Sequence, residues 1–124
     1  MNILFADDTP TVRRLTSFVL ERQGHTVKTV TDGDEVVTFL ETLPCPDLVI
    51  TDYHMPRMDG LEVLRYVRAD NRFKHLPVIV YTTNDYPEFK SEIEKLEGVL
   101  VNKMAKELLV AVDAIVAGIA KRKG

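Results

Sequence analysis

Several short apolar runs in this chain of 124 residues stop on side chains that could hold a metal ion or take part in group transfer. Ile3 to Ala6 is followed by Asp7 and Asp8, and Leu48 to Thr51 by Asp52. Val78 to Tyr81 leads into Thr82 and Thr83, and Val99 to Val101 into Asn102 and Lys103. Each has an ordinary reading when taken singly. Acids suit the positive end of a helix, Asp52 could be a turn acid, Thr82 could finish any strand, and a lone Lys103 is usually a solvated charge. Their shared position changes the weighing, because carboxylates gathered at neighbouring strand ends repel one another unless a cation or a change of protonation relieves them. Acidic oxygens with room for water suit a hard divalent ion, most naturally Mg2+. An ammonium and a hydroxyl opposite that ion complete a phosphoryl-transfer arrangement, in which the Asp52 carboxylate attacks and becomes an acyl phosphate. Zinc is not favoured: His25, His54, His75 and Cys45 lie on separate segments without tetrahedral ligand spacing.

Such a site needs strands that end side by side. The runs named above, with Thr26 to Val30, are short and rich in Val, Ile and Leu, as expected of strands buried on both faces. Between them apolar residues recur at helical spacing: Val12, Leu15 and Val19; Val36, Leu40 and Leu43; Leu61, Leu64 and Val67; Phe89, Ile93 and Leu96; Leu109, Val112, Val116 and Ile119. Thr9 before Pro10 predicts a capped helix start, and Asp32 with Glu35 and Asp59 with Glu62 have capping-box spacing. Gly24 can end the first helix. Strands alternating with helices require right-handed crossovers and a parallel sheet covered on both faces. The expectation is a doubly wound α/β domain of five strands and five helices, with its site beyond the carboxyl ends of the strands.

Composition limits what that site could serve. The balance of 16 Lys and Arg against 19 Asp and Glu gives a formal charge of -3, too mild and mixed for direct binding of nucleic acid. No apolar run approaches the roughly 20 residues that span a bilayer, so no membrane partner is expected. The start MNILFADD lacks the basic and long apolar segments of a signal peptide, and the single Cys45 excludes an internal disulfide. A cytoplasmic protein is expected. The length fits one domain, taken as residues 1–124, and the closing KRKG suggests that no output domain is present.

The segments LFADDTP, VITDYHMPRMDG, PVIVYTT and LVNKM together resemble the receiver domain of two-component response regulators, the CheY-like family, from Asn2 to about Ala120. The resemblance implies a flavodoxin-like sheet of order 2-1-3-4-5. It implies that Asp52 is the phosphoacceptor and that Asp7 and Asp8 place Mg2+, Asp8 directly and Asp7 largely through water. The backbone carbonyl of His54 would complete the protein ligands. Thr82 resembles the switch hydroxyl, Lys103 the lysine that contacts the phosphoryl group, and Thr83 the small residue after the switch position.

The implied partners are a sensor histidine kinase or phosphotransfer protein as donor, and a downstream protein or attached output domain as target. The chain would be a monomer or a phosphorylation-dependent dimer. The family is a phosphoacceptor rather than an enzyme on other substrates, promoting only its own phosphorylation and dephosphorylation. Charge added at Asp52 would bias a surface made by the fourth helix, fifth strand and fifth helix.

This chain departs from the family pattern at two positions. Met104 follows Lys103 where proline is usual, and because a non-proline cis bond costs about 2.5 to 4 kcal/mol, a trans bond is expected there. Leu100 stands where the family usually has an aromatic switch residue, so a threonine–aromatic coupling is not assumed; Tyr81 and Tyr86 are expected to be packing or surface rings. His54 and Asn84, two residues beyond Asp52 and Thr82, occupy positions that tune acyl-phosphate lifetime.

The alternatives are a phosphorylation-independent interaction module and an enzyme of similar topology. Intact Asp7, Asp8, Asp52, Thr82 and Lys103 argue against the first. A haloacid-dehalogenase type phosphatase would need an acid where His54 stands, and the six glycines are too scattered for a phosphate loop.

Overall fold

The structure is a computed structural model that describes residues 1–82, 87–102 and 105–123. The apolar runs form strands β1 (Asn2–Ala6), β2 (Thr26–Val30), β3 (Leu48–Asp52), β4 (Val78–Thr82) and β5 (Val99–Asn102). β3, β4 and β5 each run one residue past the apolar pattern, so Asp52, Thr82 and Asn102 belong to the hydrogen-bonded sheet. All strands are parallel, in the order β2-β1-β3-β4-β5 expected from the resemblance. Helices α1 (Pro10–Arg22), α2 (Gly33–Thr42), α3 (Gly60–Ala69), α4 (Pro87–Lys95) and α5 (Ala105–Lys123) make the crossovers.

The helices divide between the faces of the sheet. Val36 and Leu40 of α2, Leu61, Val63, Leu64 and Val67 of α3 and Ile93 of α4 pack on Leu4, Val49 and Val80. On the other face, Leu20 of α1 and Leu108 and Val112 of α5 pack on Ile3, Phe5, Ile50 and Ile79. Burying each such side chain stabilises the fold by about 1.5 to 3 kcal/mol, so the sheet core holds the strand ends in fixed register.

Some apolar residues fall elsewhere than the periodicity suggests. Leu15 is 61% exposed because α1 turns Thr16 and Leu20 inward. Val116 is 37% exposed, since the buried stripe of α5 runs through Leu108 and Val112. Leu43 lies past the end of α2 and is exposed. Burial along the whole strand holds for β3 and β4 and for all of β1 after Asn2, whereas β2, at the sheet edge, is mostly exposed or half-buried.

The helix starts are specific. Asp59 and Glu62 form a reciprocal capping box: the Glu62 N–H donates to Asp59 at 2.8 Å and the Asp59 N–H to Glu62 at 3.3 Å. Thr9 occupies the N-cap of α1 before Pro10, yet its side chain makes no capping bond; its N–H donates to Asp7 Oδ1 at 2.8 Å instead. The box expected at Asp32 and Glu35 does not form, because Glu35 accepts from the N–H and hydroxyl of Thr31. After α1, Gly24 takes the left-handed φ of 92° that lets the chain reverse into β2.

Gly60 brings α3 against the end of β3. A Cβ on Gly60 would lie 2.6 Å from the Asp52 carbonyl oxygen and 3.1 Å from Tyr53 Cα, while its N–H donates to the Tyr53 carbonyl at 2.9 Å. Because the obstacle is backbone, it cannot move aside by changing rotamer. Gly60→Ala is therefore expected to lower the unfolding free energy by about 1 to 3 kcal/mol in urea denaturation. An unchanged midpoint and slope would show that α3 can retreat from β3 without cost.

Candidate functional site

Register brings the first two acidic segments together. Ala6 pairs with Thr51 across β1 and β3, so Asp7 and Asp52 follow at the same level of the sheet. Asp7 is fully buried and Asp52 is 6% exposed, while Asp8 points to solvent. One carboxylate oxygen from each of the three lies within 4.8 Å of the others. This is the one such group of His, Cys, Asp or Glu among the described residues.

Backbone contacts fix this cluster. The Asp7 N–H donates to the Val30 carbonyl at 3.2 Å, tying it to β2, and its carbonyl accepts from Arg13 Nη1 at 2.7 Å. Its carboxylate takes the Thr9 N–H at the start of α1, where free amides and the helix dipole favour negative charge. At β3 the Thr51 hydroxyl donates to the Asp52 carbonyl at 3.0 Å, and the Tyr53 N–H donates to the Tyr81 carbonyl at 3.2 Å. Asp52 is thus the last residue of a strand buried along its whole length.

Thr82 ends β4 one residue beyond Tyr81, the register partner of Asp52, and is 2% exposed. Tyr81 is a packing residue, as expected: it is buried and meets the Phe5 ring edge-on with centroids 6.0 Å apart. Leu100 is half-buried against the core on the α3 side of the sheet. Lys103, Thr83, Asn84, Tyr86 and Met104 lie outside the described residues, as does the bond expected to be trans between Lys103 and Met104.

The segment after Asp52 forms one wall of the site. His54 is exposed, and with Asp8, Met55 and Pro56 it lines an open cavity of about 350 Å3. Tyr53 turns inward, its ring 4.8 Å from that of Phe89 in α4. Farther along, the Arg57 and Met58 N–H groups donate to Asp32 at 3.1 and 2.8 Å. Arg57 also donates Nε–H to Asp34 at 2.8 Å, and this bond holds the Asp34 carboxyl below its ordinary range. Sequence reasoning counted Asp32 only as a helix cap; an acid before a glycine at a helix start gives no sign of a partner 25 residues away.

The donor set is made of oxygen only, which suits a hard cation rather than zinc. His25 bonds the chain's amino terminus at 3.1 Å, His75 is exposed at the opposite end of the sheet, and burial raises the Cys45 thiol above its ordinary value. None of these joins the acidic cluster. A carboxylate held at the end of a rigid strand beside two further acids can act as a nucleophile toward an electrophile whose own negative charge is neutralised there.

The sequence matches the family described as response regulator receiver domain over residues 3–112. It is 40% identical over 84 residues to chemotaxis protein CheY1 of Helicobacter pylori, covering 67% of this chain and 68% of that protein. It is 38% identical over 87 residues to the CAI-1 autoinducer sensor kinase/phosphatase CqsS of Vibrio cholerae, covering 69% of this chain but only 12% of that protein. The fold is similar to that of chemotaxis response regulator CheY4 of Vibrio cholerae, with a TM-score of 0.81 and 30% identity over 92% of this chain and 97% of that one. A five-stranded parallel sheet in this order, acids converging at its carboxyl edge and a family match over most of the length have one common account: the chain belongs to the response regulator receiver domains of two-component signalling.

Proposed function

We propose that this receiver accepts a phosphoryl group on Asp52 from the phosphohistidine of a sensor kinase or phosphotransfer protein. The observation that carries the proposal is the approach of Asp7, Asp8 and Asp52 to within 4.8 Å at the end of buried strands. An Asp52 oxygen attacks phosphorus, the P–N bond to the donor imidazole breaks, and the ring nitrogen keeps the electron pair and is protonated. The product is an acyl phosphate on Asp52.

The oxygen-only cluster fits Mg2+, with Asp8 and Asp52 as direct ligands, Asp7 acting largely through water and the His54 carbonyl completing the set. A divalent ion bound there would neutralise charge on the phosphoryl oxygens. The residues of the chain do the remaining work. β3 orients the nucleophile, the Thr82 hydroxyl moves to bind the transferred group, and Lys103 contacts it. The same site promotes hydrolysis of its own acyl phosphate, with His54 and Asn84 at its rim tuning the access of water.

Residues 1–124 would act as one receiver unit. Its target is a downstream protein or an attached output domain, reached through α4, β5 and α5, as a monomer or a phosphorylation-dependent dimer. The reading places this action in the cytoplasm. No helix among the described residues is long and apolar enough to cross a membrane.

Intact-protein mass after incubation with acetyl phosphate tests the chemistry. The wild type should gain one phosphoryl group only when Mg2+ is present, and Asp52→Asn should gain none. Stable labelling of Asp52→Asn at another residue would overturn the acceptor assignment. Absence of labelling in the wild type, with a cognate kinase as well, would leave a receiver fold that binds its partner constitutively.

Asp8→Ala should weaken Mg2+ binding in titration calorimetry. Loss of a group that merely orients a ligand costs about 10- to 100-fold in metal affinity, and loss of a direct ligand should cost at least about tenfold. Unchanged affinity would remove Asp8 from the metal site.

A further inference from the structure

Asp32 is 1% exposed, and its carboxylate serves more than the helix that it begins. Oδ1 accepts the Gly33 N–H at 2.7 Å and the Met58 N–H at 2.8 Å, while Oδ2 accepts the Arg57 N–H at 3.1 Å. Only the Gly33 bond belongs to α2. A buried carboxylate is costly unless donors meet its oxygens, and here most of those donors come from the segment that follows the acceptor strand. Arg57 and Met58, in turn, have their amides oriented by this side chain.

Gly33 supplies a second, independent constraint on the same contact. A Cβ at Gly33 would fall 2.4 Å from the Met58 carbonyl oxygen and 2.8 Å from Val63 Cγ2, so the start of α2 and the 57–58 backbone touch with no room for a side chain. The Arg57–Asp34 ion pair lies over this contact, but its partners are 57% and 49% exposed and it adds little. On the other side, Gly60 N–H holds the Tyr53 carbonyl at 2.9 Å. The segment bearing His54 is therefore clamped at one end by α3 and at the other by Asp32.

We infer that Asp32 is a positioning residue for the metal site: by anchoring the Arg57 and Met58 amides to α2, it fixes where the His54 carbonyl stands relative to Asp52. The inference rests on the Mg2+ assignment proposed above. It makes the β2–α2 turn, which contributes no ligand, a determinant of metal affinity. Supporting groups of this kind change metal affinity by about 10- to 100-fold when removed.

The test compares Asp32→Ala and Asp32→Asn in the full chain. It uses Mg2+ titration calorimetry, amide exchange read by NMR at Arg57 and Met58, and urea denaturation to confirm that the titrated protein is folded. Asp32→Ala should bind Mg2+ about tenfold more weakly than the wild type, with loss of protection at both amides. Asp32→Asn keeps one oxygen for Gly33 and Met58 but sets an amide group against the Arg57 N–H, and should fall between the two. A folded Asp32→Ala with wild-type Mg2+ affinity overturns the inference, since a residue needed only for stability would lower the urea midpoint and leave the affinity of the folded protein unmoved.

If Asp32→Ala does not fold, Asp32→Asn and Gly33→Ala decide. Gly33→Ala retains the carboxylate but pushes on the Met58 carbonyl, so both should weaken binding, and wild-type affinity in both rejects the positioning role. A wild-type chain that binds no Mg2+ overturns the metal assignment itself and this inference with it. That result is distinct from wild-type affinity in the variants, which overturns the inference alone.

Discussion

Two carboxylates held close together in a buried place are the constraint around which this molecule is organised. Asp7 and Asp52 are both largely withdrawn from water, and their oxygens approach within 4.8 Å. At an effective dielectric of about 20, two ionised groups at that separation repel by roughly 3 kcal/mol. The adjacent parallel strands prevent them from separating, because Ala6 and Thr51 are register partners deep in the sheet. The Thr9 amide offsets part of the charge on Asp7. A divalent cation between the acids would offset more, so the core packing of β1 and β3 is what would favour positive charge at this edge.

The two ends of the sheet are built differently. At the carboxyl edge, backbone meets backbone through glycine: Gly60 lies against Asp52 and Gly33 against Met58. These contacts set the start of α3 against the end of β3 and the start of α2 against the 57–58 backbone. At the amino edge, one long side chain joins separate segments. Arg68 donates Nε–H to the Leu96 carbonyl and Nη1–H to the Leu76 carbonyl, both at 2.6 Å, and Nη2–H to that of Glu97 at 3.2 Å. Burial lowers its guanidinium from the ordinary value, yet the carbonyls replace the lost water. The left-handed turn at Glu97, with φ of 57°, is secured in this way where no chemistry is needed.

The strands were legible because short runs of Val, Ile and Leu have few other stable arrangements, and each was placed to within a residue or so. The helices were legible as helices, but not always in the face that they bury. Thr16 reads as polar and yet lies inside, which rotated the apparent stripe of α1 onto Leu15. At the site, the acids could be read because they directly follow apolar runs, and the parallel sheet then brings them together. Asp32 could not be read, since its partners are main-chain amides, and any residue but proline supplies an amide. The capping box expected for it does not form, because Glu35 bonds Thr31 instead. Spacing along the chain records local bonds, whereas the bonds of Asp32 to Arg57 and Met58 are tertiary.

At Leu100, where the resemblance implies an aromatic ring, β5 carries an aliphatic side chain, and the contacts around Asp52 differ accordingly. Leucine has no hydroxyl and no ring face to exchange with Thr82, and here its side chain packs against the core. Tyr81 cannot take over by swinging outward, because it is 6% exposed and packed edge-on against Phe5, and leaving that position would open a cavity beneath β4. Among the described residues, Tyr53, next to Asp52 in sequence, meets Phe89 of α4 with ring centroids 4.8 Å apart and planes tilted by 34°. Tyr53 is also joined to β4 through its N–H on the Tyr81 carbonyl and to α3 through its own carbonyl on the Gly60 N–H. A displacement of the backbone at Asp52 would act on a residue shared by β4, α3 and α4. Among the described residues it is Tyr53, rather than a ring on β5, that touches both the end of the sheet and α4.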